Sequence, residues 1–97
     1  MKTIKKVKVT VEYVDTVPDH MIQDIIYVSY KYKSAMHLCL CGCHHKAVTP
    51  FNAKFGSNWT ITIVDDKVTF TPSILNTNCP NNCHYVITDG IANILER

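Results

Sequence analysis

The sequence predicts an all-β protein with at most one short helical turn. Short runs of alternating or β-branched residues recur along the chain, and turn residues separate them. Clustered cysteines and histidines lie between these runs, which is typical of a metal site in a small protein. We therefore expect a single domain over residues 1–97, with about six or seven short strands cross-linked by a zinc site.

The first half of the chain predicts two long strands. Residues 3–14 alternate, which places Val7, Val9, Val11 and Tyr13 on one face of a half-buried strand. Residues 21–24 are expected to form a helical turn. Residues 25–33 are rich in β-branched and aromatic side chains and predict a second strand that leads directly into the cysteine cluster.

The second half predicts shorter elements. We expect a strand over 46–49 that Pro50 ends, a loop over 51–58, and a core position for Trp59. Hairpins are predicted around two turn dipeptides, Asp65-Asp66 and Asp89-Gly90. Residues 73–82 are rich in Asn, Thr and Pro and predict an irregular loop.

Composition and charge exclude several classes of protein. The apolar fraction of 46% is that of a globular protein and not of a disordered one. The net charge is only +2, without a polybasic block, which disfavours a nucleic-acid partner. The N-terminal residues lack the apolar core of a signal peptide, and no apolar run reaches the ~18 residues of a membrane span. We expect a cytoplasmic protein with reduced thiols and no membrane partner.

Two clusters of metal-binding residues stand apart in the chain. Residues 37–45 read H-L-C-L-C-G-C-H-H, and a second cluster contains Cys79, Cys83 and His84. Zinc takes four ligands arranged tetrahedrally, commonly two from each of two segments. In a straight strand Cys39 and Cys43 would stand about 13 Å apart, so all three cysteines can share one ion only if Gly42 lets the chain fold back.

Other residues beside these clusters have weaker signals. His44 and His45 are adjacent and point in different directions in a strand, so at least one is a surface residue. His37 is a ligand, a partner of a ligand or a packed strand residue, and the last two are favoured. Ser73 either caps a turn or acts as a nucleophile with His84 or another histidine as base. Buried thiols without a metal are the alternative to the whole site.

The order of these motifs resembles a family of small bacterial proteins. The resemblance covers most of the chain from about residue 25 onward, and it rests on I-Y-V-S at 26–29, Tyr32, Ala35, H-L-C at 37–39, C-G-C at 41–43, Trp59, V-T-F at 68–70, P-S-I at 72–74, Cys79, H-Y at 84–85 and G-I at 90–91. Genes of that family tend to lie beside ubiquitin-like proteins, ThiF-type activating enzymes and conjugating-enzyme-like proteins.

The resemblance implies a cytosolic component of a bacterial ubiquitin-like conjugation system. A peptidase that matures the ubiquitin-like precursor, or removes it from targets, is the role it suggests. The family pattern implies a site made of Cys39, Cys41, Cys43, Cys79, His84 and Ser73. The chain departs from that pattern at His44, where a glycine is expected, and at Cys83, which directly precedes the histidine.

Three hypotheses of function follow. The first is a zinc-associated peptidase with Ser73 and His84 as catalytic residues and Cys39, Cys41, Cys43, Cys79 and His84 as metal ligands. The second is a non-enzymatic zinc module that binds the ubiquitin-like protein or its activating or conjugating enzyme. The third is a thiol redox protein without metal, for which the chain offers no C-x-x-C motif.

Overall fold

The computed structural model describes residues 2–51 and 59–96, and within these ranges it contains strands and turns but no helix. The all-β class is therefore confirmed, although the strands are shorter and more numerous than predicted. The ten described strands are β1 (Thr3–Lys8), β2 (Thr10–Tyr13), β3 (Ile25–Ser29), β4 (Ser34–Leu38), β5 (Lys46–Pro50), β6 (Thr60–Val64), β7 (Lys67–Thr71), β8 (Ile74–Leu75), β9 (His84–Thr88) and β10 (Ile91–Leu95).

The strands form two four-stranded sheets and one separate hairpin. The first sheet has the order β1-β10-β9-β8 and is antiparallel throughout. The second has the order β2-β3-β4-β5, in which β2 and β3 are parallel and the other pairs are antiparallel. Strands β6 and β7 form the hairpin. One apolar cluster takes residues from all three units, so they pack around a common core.

The N-terminal alternating run crosses between the two sheets. One continuous strand over 3–14 was the expectation, but β1 pairs with β10 and β2 pairs with β3. The chain changes sheet at Val9, which is buried and donates its N–H to the carbonyl of Gly90. The alternation was predicted correctly. The prediction of a single strand was wrong, because Val9 separates β1 from β2 and the two strands belong to different sheets.

The predicted strand over 25–33 ends at Ser29. The chain turns at residues 30–33, where Lys33 has a φ of 51° and the hydroxyl of Ser29 accepts the N–H of Tyr32. Strand β4 then runs back beside β3. Residues 21–24 form no helix, and a hydrogen bond from the N–H of Ile25 to the carbonyl of Ile22 closes a simple turn there.

Both predicted hairpins are confirmed. Asp65 and Asp66 connect β6 and β7 with positive φ at both residues, and Asp89-Gly90 connects β9 and β10 in the same way. The two-residue turn with left-handed backbone matches the twist of paired strands.

The strand predicted over 46–49 is β5, which includes Pro50. Of the predicted loop over 51–58, all but Phe51 lies outside the described residues.

Candidate functional site: a four-cysteine cluster and a serine–histidine pair

The first three cysteines lie at the tip of the β4–β5 hairpin. The N–H of Cys39 donates to the carbonyl of His45 at 2.8 Å, which closes the base of the tip. Inside it, the N–H of Gly42 donates to the carbonyl of Cys39, and Gly42 has a φ of 91°. The chain therefore folds back at Gly42, as the geometry of three alternating cysteines requires.

The fourth cysteine lies in the loop that joins β8 to β9. The N–H of Asn76 donates to the carbonyl of Cys83, the N–H of Cys79 to the carbonyl of Asn76, and the N–H of Asn82 to the carbonyl of Cys79. The side-chain amide of Asn78 donates to the carbonyl of Lys46 in β5. These bonds fold the loop tightly and bind it to the hairpin that carries the other three cysteines.

The four thiols converge on one point. The Sγ–Sγ distances are 3.4 Å between Cys39 and Cys41, 3.5 Å between Cys41 and Cys79, and 3.4 Å between Cys43 and Cys79. All four sulfurs lie within 4.8 Å of one another, and none is in a disulfide. Cys39 and Cys79 are buried, and Cys41 and Cys43 are half-buried. This four-cysteine cluster can hold a metal ion.

Backbone N–H groups point at all four sulfurs. Burial raises the pKa of the Cys39, Cys41 and Cys43 thiols above the ordinary value, to about 12 at Cys39. The donors for the four sulfurs include the residues two positions further along the chain, at 41, 43, 45 and 81, and each of these bonds lowers the pKa of its thiol and offsets part of the effect of burial. At Cys79 burial also raises the pKa, but the backbone of Cys83 and Asn81 and the Cys43 thiol outweigh it and lower the pKa to about 6. Donors aimed at sulfur favour the thiolate, which is the form that binds metal.

The side chain of Asn76 adds a further donor. Asn76 is buried, and its Nδ2 has no partner at hydrogen-bond distance among the described residues. It lies close enough to Cys39 to lower the pKa of that thiol. The Oδ1 of the same amide accepts the N–H of Asn78, so only the Nδ2 donor lacks a partner. A buried donor without an acceptor is costly, and a thiolate at Cys39 is such an acceptor. The donor set therefore fits a bound metal better than four neutral thiols.

The remaining cysteine and histidines lie outside the four-cysteine cluster. Cys83 is buried beside it, and burial raises the pKa of its thiol to about 11. His44, with a φ of 67°, and His45 are exposed at the hairpin tip, and His20 is exposed in a distant turn. His84 follows Cys83 but points to the other face of the sheet, because successive strand residues alternate.

His84 lies instead against Ser73. Its Nε2 is 2.8 Å from the hydroxyl oxygen of Ser73. The β8–β9 register explains the contact, because Leu75 lies opposite His84 and Ser73 is two residues before Leu75, on the same face. Ser73 and His84 are thus diagonal neighbours across two antiparallel strands. Both side chains are half-buried, so solvent reaches the pair.

Trp59 fixes the backbone of the serine. Its indole N–H donates to the carbonyl oxygen of Ser73 at 3.2 Å. The rest of the side chain is partly buried against the core, as predicted. The indole therefore ties the position of Ser73 to the core, directly after the cis peptide bond between Thr71 and Pro72.

His37 lies in the core and contacts β9. It is fully buried, and its Nε2 is at hydrogen-bond distance from the hydroxyl of Tyr85, which directly follows His84. Burial lowers the pKa of His37 to about 4, so the ring is neutral at pH 7. Of the three roles open to His37, the structure places it as a packed strand residue that links β4 to β9.

Fold and site together define a small all-β protein with a cysteine cluster that can hold a metal and a solvent-accessible serine–histidine pair. Residues 13–95 match a family model described as the bacterial ubiquitination-like system serine protease, BubE, so the chain belongs to that family. No curated protein and no solved structure gives a significant match to the chain. No helix among the described residues is long and apolar enough to cross a membrane.

Three residues that support the site were not identified as such from the sequence. Asn76, Trp59 and Tyr85 each contact a candidate site residue or its neighbour through a single side-chain group. Asn76 had a weak signal, since it belongs to an Asn-rich loop that carries Cys79. The other two have the pattern of ordinary core residues of strands.

Proposed function

We propose that the chain is a cytoplasmic serine peptidase of a bacterial ubiquitin-like conjugation system, which processes the ubiquitin-like precursor or removes the mature protein from its targets. The observation that carries the proposal is the 2.8 Å contact between the Ser73 hydroxyl and Nε2 of His84. A serine within hydrogen-bond distance of a histidine is the arrangement of an activated nucleophile. The family description supplies the reaction class and the pathway.

The pair supports peptide hydrolysis in two stages. The Oγ of Ser73 attacks the scissile carbonyl while Nε2 of His84 takes the hydroxyl proton. His84 then gives this proton to the leaving amine, which departs and leaves an acyl group on Ser73. Water then gives a proton to the same nitrogen and attacks the acyl group. His84 returns this proton to Oγ of Ser73 as the bond from the serine oxygen to the acyl carbon breaks, which releases the product with its new carboxyl group and restores the Ser73 hydroxyl.

The metal of the four-cysteine cluster is proposed to be structural zinc. Four thiolates fill a tetrahedral zinc site, in which the sulfurs stand about 3.8 Å apart for zinc–sulfur bonds of about 2.3 Å. The three Sγ–Sγ separations of 3.4 and 3.5 Å given above are close to that value. A closed site of this kind has no position for a catalytic water, so in this proposal the chemistry falls to Ser73 and His84, with His84 outside the ligand set.

The test is cleavage of the ubiquitin-like precursor of the same conjugation system by the purified, zinc-loaded protein. We expect removal of residues C-terminal to the cleavage site, seen by intact mass spectrometry. Ser73→Ala and His84→Ala should each lower kcat/KM by at least about a thousandfold, since loss of either member disables such a pair. A fluorophosphonate probe should label the wild type on Ser73 and leave Ser73→Ala unlabelled.

Matched controls separate chemistry from folding. Ser34→Ala in β4 and His20→Ala in an exposed turn remove the same groups at positions away from the pair, and both should retain activity. Full activity in Ser73→Ala would refute the serine assignment. No cleavage by folded wild type that holds one zinc would favour the non-enzymatic zinc module.

A further inference from the structure

In the described part of the chain, strand β8 has an open edge directly beside Ser73. It is the last strand of the first sheet, and it pairs with β9 on one side only among the described strands. Its two residues, Ile74 and Leu75, immediately follow Ser73. The unpaired side of such a strand presents backbone donors and acceptors that can pair with another chain.

The alternation of backbone hydrogen bonds along β8 shows which residue directs its N–H and C=O groups to the open side. In the β8–β9 register the residue opposite Asn76 is Cys83, and the N–H of Asn76 donates to the carbonyl of Cys83 at 2.8 Å. Because antiparallel pairs alternate, Asn76 and Ile74 direct their N–H and C=O groups toward β9, and Leu75 directs both of its groups away from β9.

Trp59 marks where the open edge ends. The carbonyl of Ser73, like that of Leu75, points away from β9. It already accepts a hydrogen bond from the indole N–H of Trp59. Within residues 2–51 and 59–96, the open pair of groups at this edge is therefore the N–H and C=O of Leu75. The side chain of Leu75 is 51% exposed and lies opposite His84, on the face that carries the serine–histidine pair.

We infer that the substrate binds as an extended peptide that adds a strand to β8, with one substrate residue hydrogen-bonded to both the N–H and the C=O of Leu75. This inference rests on the proposed function and names how the peptide reaches Ser73. Strand addition of this kind takes its affinity from main-chain hydrogen bonds. The occupant is the substrate segment that contains the scissile bond, because that segment must lie beside Ser73 for cleavage.

The geometry also sets the position of the paired residue. Leu75 lies about 6.6 Å along the strand from Ser73, at ~3.3 Å per residue. The paired substrate residue is thus about two positions from the scissile bond. Its side chain projects beside the exposed Leu75 side chain, which favours an apolar residue there.

Hydrogen exchange tests the pairing without turnover. Ser73→Ala is mixed with a ten-residue peptide that spans the cleavage junction of the precursor, and amide exchange is followed by NMR. The Leu75 amide should exchange at least about tenfold more slowly in the complex, while Asn76, already bonded to β9, changes little. Bound peptide with unchanged exchange at Leu75, or no binding at millimolar peptide, overturns the inference.

A pair of variants tests the same bond in catalysis. Leu75→Pro and Leu75→Ala both trim the side chain, but only proline removes the N–H, and a proline is tolerated where the N–H faces outward on an edge strand. Leu75→Pro should have a kcat/KM roughly tenfold below that of Leu75→Ala, because a peptide carbonyl is left without its donor. Equal values in two folded variants overturn the inference.

The two proposals fail in different ways. Cleavage that depends on Ser73 but not on the Leu75 amide leaves the peptidase standing and refutes strand addition. Absence of cleavage refutes the peptidase, and the exchange experiment on Ser73→Ala then decides strand addition by itself. If Leu75→Pro does not fold, the same exchange experiment decides between pairing and no pairing with the native Leu75 in place.

Discussion

The Sγ atoms of Cys43 and Cys79 lie 3.4 Å apart although 36 residues separate them in the chain. Cys79 belongs to the loop between β8 and β9, Ser73 directly precedes β8, and His84 is the first residue of β9. A metal that holds Cys79 against the β4–β5 hairpin therefore also restrains the segment that connects the serine to the histidine. The cysteine cluster and the serine–histidine pair are one structural unit.

Substitution of Cys79 should release the metal and unfold this unit. In Cys79→Ser we expect zinc to fall well below one per chain by elemental analysis. The cooperative thermal transition should be lost by circular dichroism, because metal binding and folding are coupled in small domains. Cys83→Ala is the matched control, since Cys83 is buried beside the four cysteines but is not one of them. It should keep about one zinc, and equal zinc loss in both variants would contradict the ligand assignment.

The buried amide of Asn76 should strengthen metal binding through Cys39. Asn76→Ala removes the N–H group that a metal-bound thiolate at Cys39 would accept, and loss of such supporting hydrogen bonds costs about 10- to 100-fold in metal affinity. Competition with a chromogenic chelator measures the change. Asn78→Ala serves as the control, because its amide donates to the Lys46 carbonyl and not to a sulfur. A zinc affinity for Asn76→Ala equal to that of Asn78→Ala would count against this role.

Local turn chemistry and ligand density could be predicted from the sequence. Asp65-Asp66 and Asp89-Gly90 identify their hairpins because two-residue turns depend on the turn residues themselves. The cluster around Cys41 is visible because three cysteines alternate around Gly42, which is the residue that lets the chain fold back. Both signals lie within a few residues of sequence.

Long-range pairing could not be predicted in this way. Residues 73–82 were expected to be an irregular loop, but Ile74 and Leu75 form a strand because β9 supplies partners about ten residues further along. His84 was expected among the metal ligands as well as beside Ser73. The alternation of β9 directs Cys83 toward the core and His84 toward the opposite face, and that phase depends on a register that the sequence does not specify.

The hydrogen bond between His37 and Tyr85 should stabilise the core. Tyr85→Phe leaves the buried imidazole without its partner at Nε2, which costs about 1–3 kcal/mol in the free energy of unfolding. Urea unfolding of the zinc-loaded protein measures the loss. Tyr32→Phe removes a hydroxyl from an exposed ring and should change stability by less than about 0.5 kcal/mol. Equal stabilities of the two variants would mean that this hydrogen bond adds nothing.

Trp59 should act on catalysis by positioning Ser73. Trp59→Phe keeps an aromatic ring against the core but removes the N–H that donates to the Ser73 carbonyl, a bond worth about 0.5–1.5 kcal/mol. A small displacement of a nucleophile slows the chemical step more than it weakens substrate binding. We therefore expect kcat to fall about three- to tenfold with KM nearly unchanged. Ile61→Val trims another side chain that is partly buried against the core and that has no N–H to donate to Ser73, so a similar fall in kcat in that variant would show that Trp59 supports the fold rather than the serine.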